Sequence, residues 1–164
     1  MAEICGFPNR VISEMVAEIL QNQNIVKFLS YASVENEDVL SNPPIEDSSV
    51  LLDSNIFVGR RLPYILGGTG AYITLRMGDL RPSTYKSKKV KTTVIDVIII
   101  VHNKCQKTLN GARDIALVSM MQSLFEDKKL GGVGDCKIVR TADMNGLPVE
   151  YSGYNVICEV QSYN

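Results

Sequence analysis

The sequence predicts an α+β domain: a mainly antiparallel four-stranded sheet with helices packed on it and a long β-hairpin within it. Three observations lead there. The run Val90 to Val101 is dense in β-branched residues, which suit a pleated surface. Two segments, Arg10 to Gln21 and Ala112 to Lys128, repeat apolar residues at helical spacing. The remaining strand-like segments fall in pairs on either side of the second helix, the pattern of hairpins.

Val11, Ile12, Met15, Val16, Ile19 and Leu20 give the first helix one apolar face, with Asn9 as its expected cap. Ile25 to Tyr31 continues that helix or begins another after a break at Asn22 to Asn24. Ser33 to Asp53 then reads as a long acidic loop, with Glu35, Glu37, Asp38, Glu46, Asp47 and Asp53 and no lysine or arginine. Ile56 to Leu66 is irregular, and Gly67 to Gly70 marks a turn. Tyr72 to Met77 reads as a strand, and Val90 to Val101 as the central strand, apolar on both faces in its second half. Together they make a hairpin over Ala71 to Val101 whose connection carries Lys86, Lys88, Lys89 and Lys91. Lys128 and Lys129 suit the second helix's C-terminal dipole, and Gly131-Gly132 stops it. Cys136 to Thr141 and Tyr154 to Tyr163 are the last strands, joined by Asp143 to Ser152.

At 164 residues the chain fits one domain, residues 1–164, large enough to bury a core without staples. The formal net charge of -1 shows no basic excess, so a dedicated nucleic-acid binder is not expected. Cys5, Cys105, Cys136 and Cys158 have no metal-ligand spacing and read as reduced thiols of a reducing compartment. The N-terminus lacks a basic segment followed by an apolar run. The apolar run Val94 to Val101, interrupted by Asp96, is too short for a membrane-crossing helix.

No constellation for catalysis emerges. His102 with Cys105 lacks a third orienting group. The glycine turns at 67–70 and 131–134 precede a strand and follow a helix, the reverse of the strand-to-helix order that cradles phosphate. Asp96 needs a basic partner or a subunit boundary, because a buried charge must be compensated. A small enzyme or nucleotide-binding domain built on His102 and the glycine turns remains the alternative from another functional class.

The C-terminal two thirds resembles the tail-terminator and tail-completion (neck) proteins of tailed bacteriophages. The residues concerned are Tyr72-Ile73-Thr74-Leu75-Arg76-Met77-Gly78, the long strand Val94 to Val101 ending in His102-Asn103, Gly111-Ala112-Arg113 at the helix start, and Gly153-Tyr154-Asn155-Val156-Ile157. The order of elements, starting with the helix Arg10 to Leu20, extends the likeness over nearly the whole chain. The resemblance implies a structural virion protein without catalytic residues, cofactor, metal or membrane contact. It implies a homo-oligomeric ring, sixfold or twelvefold, that caps the tail tube and joins it to the neck, with DNA only passing through the lumen. Its partners would be itself, the tail tube protein and neck or connector proteins, with assembly in the host cytoplasm. A neck or connector ring nearer the portal is the alternative within the class. The acidic segment departs from the pattern. Opposite charges on the acidic loop and the lysine-rich connection mark candidate subunit contacts at Tyr72, Thr74, Arg76, Lys86, Lys88, Lys89 and Lys91 on the hairpin, and at Glu35, Glu37, Asp38, Glu46 and Asp47 on the loop.

Overall fold

The computed structural model of the chain describes residues 6–32, 37–59, 68–82, 90–132 and 134–163. Helix α1 (Phe7–Gln21) begins before the expected cap at Asn9: Gly6 is the N-cap, and Pro8 lies in the first turn, where its missing N–H leaves no bond unmade. Asn22 interrupts the helix with extended backbone, and its side chain accepts a hydrogen bond from the Ile25 amide to open α2 (Gln23–Ser30). Two short 3-10 turns, Val39–Ser41 and Ser48–Leu51, lead into β1 (Ile56–Val58). The long strands β2 (Ala71–Pro82) and β3 (Val90–His102) follow. Then come a 3-10 turn at Asn103–Cys105, β4 (Lys107–Thr108), β5 (Gly111–Ala112), α3 (Arg113–Phe125), β6 (Lys129–Leu130), β7 (Gly134–Asp143) and β8 (Tyr151–Tyr163).

The expectation of a four-stranded, mainly antiparallel sheet is wrong. Among the described residues the sheet has six strands in the order β1-β2-β3-β8-β7-β6, and it is mixed, because β1 runs parallel to β2. The pair β4-β5 forms a separate two-stranded sheet. β1 is too short to register as a period-2 signal, so Ile56 onward read as irregular. β6 lay hidden in the expected helix end. Helix α3 stops at Phe125, Asp127 takes a positive φ of 61°, and the chain turns into β6 instead of continuing through Lys128. Gly131 and Gly132, at φ 66° and 85°, reverse the chain between β6 and β7 in backbone conformations that side chains disfavour. Lys128 pairs with Glu18 of α1.

The expected central strand is central, lying between β2 and β8, and every residue from Thr93 to Val101 is buried. Successive side chains alternate between the faces. Ile95, Val97, Ile99 and Val101 join Ile73, Leu75, Val156 and Cys158 in the main core under the helices, with Met15, Ile25, Leu117 and Phe125. On the other face Ile98 and Ile100 pack with Tyr151, Tyr72, Met144 and Leu147. Register shifts between Met77 and Asp79 and between Ile138 and Arg140 are β-bulges, which bend and curl the sheet.

Replacing fully buried Ile99 with Ala should cost about 2–5 kcal/mol in urea denaturation, by lost transfer energy and a cavity. The same truncation at half-exposed Val139 should change stability by less than about 0.5 kcal/mol.

Candidate interaction surfaces

Alternation along β2 sends Ala71, Ile73 and Leu75 into the helix-covered core and Tyr72, Thr74 and Arg76 to the opposite face. Register then lines up residues of four strands. Arg76 stands beside Asp96, Asp96 beside Ile157, and Ile157 beside Arg140. The next row is Thr74, Ile98, Asn155 and Ala142.

Asp96, the charge inside the strongest strand, finds its partner in Arg76 at 2.7 Å. The bulge in β2 makes room for it: a Cβ on Gly78 would come within 2.8 Å of the Asp96 carboxylate. The second bulge, in β7, matters as much. Strict alternation would put Arg140 on the core side with Cys136 and Ile138. The extra residue turns Arg140 onto the helix-free face instead.

Beside these rows the loop after β7 arches over the sheet and encloses a groove of about 540 Å³, lined by Arg76, Ile98, Arg140, Asn145, Leu147 and Asn155 among others. Among the described residues, three buried polar atoms on this face lack a hydrogen-bond partner: Thr74 Oγ1, Arg76 Nε and Asn155 Oδ1. Tyr72 closes one end of the face. Its ring lies 6.5 Å from that of Phe57, and burial raises the phenol's pKa. Tyr151 donates to the Gly68 carbonyl at 3.0 Å.

The described residues of the acidic loop lie against α2. From Glu37 to Gly59 the chain has no lysine or arginine. From α2, Gln23 brackets Ile45 with two bonds of 3.0 Å and Lys27 Nζ donates to the Leu40 carbonyl, and Tyr31, just past the helix end, donates to the Pro43 carbonyl. Glu37 accepts from Asn42, and Asp38 from Asn110. Asp47 and Glu46 are exposed. Two bonds from Ser49, side chain first, hold the Asp47 carboxyl below its usual range. Of the other expected contact residues, Glu35, Lys86, Lys88 and Lys89 lie outside the described residues, and only the backbone of Lys91 is described, in β3. The structure therefore gathers Tyr72, Thr74 and Arg76 on one face and pairs Arg76 with Asp96 rather than with Glu37, Asp38, Glu46 or Asp47 of the acidic loop.

The side chains of His102 and Cys105 bond backbone groups rather than each other. The Cys105 thiol donates to the Gly70 and His102 carbonyls, and burial pushes its pKa up. The imidazole accepts from the Lys104 amide and meets Tyr151 edge-on at 4.9 Å. The Cys158 thiol is also pushed up, first by its bond with Cys136 and then by burial.

Arg113 escaped the sequence reading. It is fully buried, donates to the Phe28 and Cys105 carbonyls at 2.7 Å each, and lies 5.6 Å from the Phe28 ring centre. Burial lowers its pKa. Arginine at a helix start gives no local signal of burial, since its partners come from distant segments. Arg140 and Asn155 were missed for a similar reason: register across strands is not visible along one strand.

Among the described residues, no three His, Cys, Asp or Glu side chains cluster to hold a metal, and no helix is long and apolar enough to cross a membrane. The model of the YomW family matches residues 22–160, and the chain belongs to that family. The family bears a Bacillus phage-derived name, which points to a phage-associated protein. No curated protein matches it.

Gly78→Ala should destabilise the fold by about 1–3 kcal/mol in urea denaturation, because the new methyl displaces the Asp96 carboxylate from Arg76. Thiolate is the reactive form of cysteine, so the raised pKa of Cys105 and Cys158 leaves little of it. In a Cys5→Ser background, thiol titration at pH 8 should find no fast-reacting group until denaturant is added.

Proposed function

We propose that this YomW-family chain is a structural protein of the phage virion, built into the head–tail junction as a homo-oligomeric ring that caps the tail tube and joins it to the neck. The observation that carries the proposal is the β1 side of the molecule. Val50, Leu52, Val58 and Met77 stand 62%, 41%, 51% and 48% exposed there. Val50, Leu52 and Val58 belong to the stretch 37–59, which also holds Glu46, Asp47 and Asp53 and no lysine or arginine. An apolar strip with a charged border is the make-up of a protein–protein contact. The phage association of the family supports placing that contact in a virion.

In this reading the ring's neighbours are further copies of the chain, the tail tube protein below and neck or connector proteins above. DNA passes through the lumen, and neither cofactor nor membrane takes part. No catalytic step is assigned to the chain, which assembles in the host cytoplasm.

Sedimentation and negative-stain imaging of the purified chain test the proposal. A ring of many subunits is expected. Sixfold symmetry fits a tail terminator, and twelvefold symmetry a connector nearer the portal. A chain that stays monomeric at every concentration rejects the reading. Val58→Glu should leave the monomer folded, since the side chain is exposed, and should raise the concentration needed for assembly roughly tenfold or more by burying a charge at the contact.

A further inference from the structure

We propose that the groove on the helix-free face receives the acidic segment, residues 37–53, of a neighbouring copy of this chain, with Arg140 and Arg76 as its cationic contacts. The inference rests on the ring reading and specifies which two surfaces meet.

The groove is built to take something. Arg140 makes no ion pair among the described residues, and Arg76 spends only one end of its guanidinium on Asp96, leaving Nε unpartnered. Asn155 offers an unpartnered, buried Oδ1 to the same space. Buried polar atoms without partners are costly in the free chain, so a guest that supplies carboxylates to the arginines and an N–H to Asn155 gains what the monomer lacks. The volume of about 540 Å³ suits a few side chains of a protruding turn such as the one at Glu46 and Asp47.

The chain also supplies that guest. Residues 37–53 hold Glu37, Asp38, Glu46, Asp47 and Asp53 and no basic residue. Glu46 is exposed and unpaired among the described residues, and Val50 beside it offers an apolar anchor at 62% exposure. A copy does not fill its own groove, because this segment is held against α2. Two different surfaces of one copy make a heterologous contact, which repeats until a rotation closes it into a ring. Asp143 on the groove rim breaks up the positive field. A nucleic-acid backbone needs a continuous row of cations, whereas a segment with a few carboxylates does not.

The test is charge reversal on the full chain, read by sedimentation at low and high salt. Arg140→Glu, at an exposed position, and Glu46→Lys with Asp47→Lys should each keep the parent's urea midpoint. Each should raise the concentration for half-assembly roughly tenfold at low salt, with the difference shrinking at high salt. Mixing the two variants in equal amounts should restore assembly, since every contact in an alternating ring then joins opposite charges. If the parent assembles and Arg140→Glu assembles equally well, the ring reading stands and the groove contact is wrong. Failure of the mixture to restore assembly also overturns the pairing. So does an Arg140→Glu variant that keeps assembly but loses affinity for double-stranded DNA, which would make the groove a nucleic-acid surface. A parent that never assembles removes the ring reading itself.

Discussion

Strand β3 has no side that can face water, and the rest of the fold follows from covering it. Nine consecutive residues, Thr93 to Val101, are buried. Each isoleucine or valine among them gains roughly 1.5–3 kcal/mol from leaving water, provided both faces are covered. The helices cover one face: α1, α2 and α3 all contribute to the core that holds Ile95, Val97, Ile99 and Val101. On the other face the cover among the described residues is Tyr72, Met144, Leu147 and Tyr151, gathered at the end where Ile98 and Ile100 lie. Toward the β2 bulge, the same face carries Asp96 and its ion pair with Arg76 instead of apolar packing. The strand's own sequence decides this division, because an aspartate at position 96 can be buried only beside a cation.

Elements with long repeats were legible in the sequence. The two amphipathic helices and β3 announce themselves through periodicity over ten residues or more, and β3's apolar residues on both parities placed it in the middle of the sheet. Short elements were not. β1 and β6 are held by pairing partners, β1 by residues 73–75 and β6 by residues 134–135, and their own residues give too few positions for a pattern. The end of α3 was misjudged because Lys128 and Lys129 satisfy the dipole argument equally well as helix-terminal cations or as residues of a following turn and strand. The observed turn depends on Asp127 entering the left-handed region.

The candidate surface divides along the same line. Tyr72, Thr74 and Arg76 share a face by simple alternation, which is visible along one strand. Arg140 breaks the alternation through a bulge, and a bulge next to Ile138-Val139 has no residue signature comparable to a glycine turn. Gly78 does mark the other bulge, but its meaning depends on a carboxylate on the neighbouring strand, eighteen positions away in sequence. The contact once expected between hairpin-tip lysines and acidic loop needed only opposite charges. In the described geometry, strand register and the β7 bulge put Arg76 and Arg140 on the helix-free face, while hydrogen bonds from α2 hold the acidic segment elsewhere.

Arg113 explains why those two surfaces keep a fixed relation. Its guanidinium ties the end of α2, through the Phe28 carbonyl, to the turn after β3, through the Cys105 carbonyl, and both to the start of α3. Nearby, Asp114 accepts from Ser152 of β8, and Gln106 bonds both Ser152 and the Asp114 amide. The helix that carries the acidic segment is thus fastened to the strands that carry the groove by buried, directional bonds in addition to apolar contact. Apolar packing alone tolerates small rotations of a helix on a sheet, whereas a buried arginine with two carbonyl partners does not, because each lost bond leaves a buried polar group unsatisfied. A ring needs the angle between its two contact surfaces to be the same in every copy, since a small error per subunit multiplies around the circle and prevents closure. A rigid polar clamp between the two sides of the domain is the kind of feature such a geometry requires, and it is independent of how strongly either surface binds.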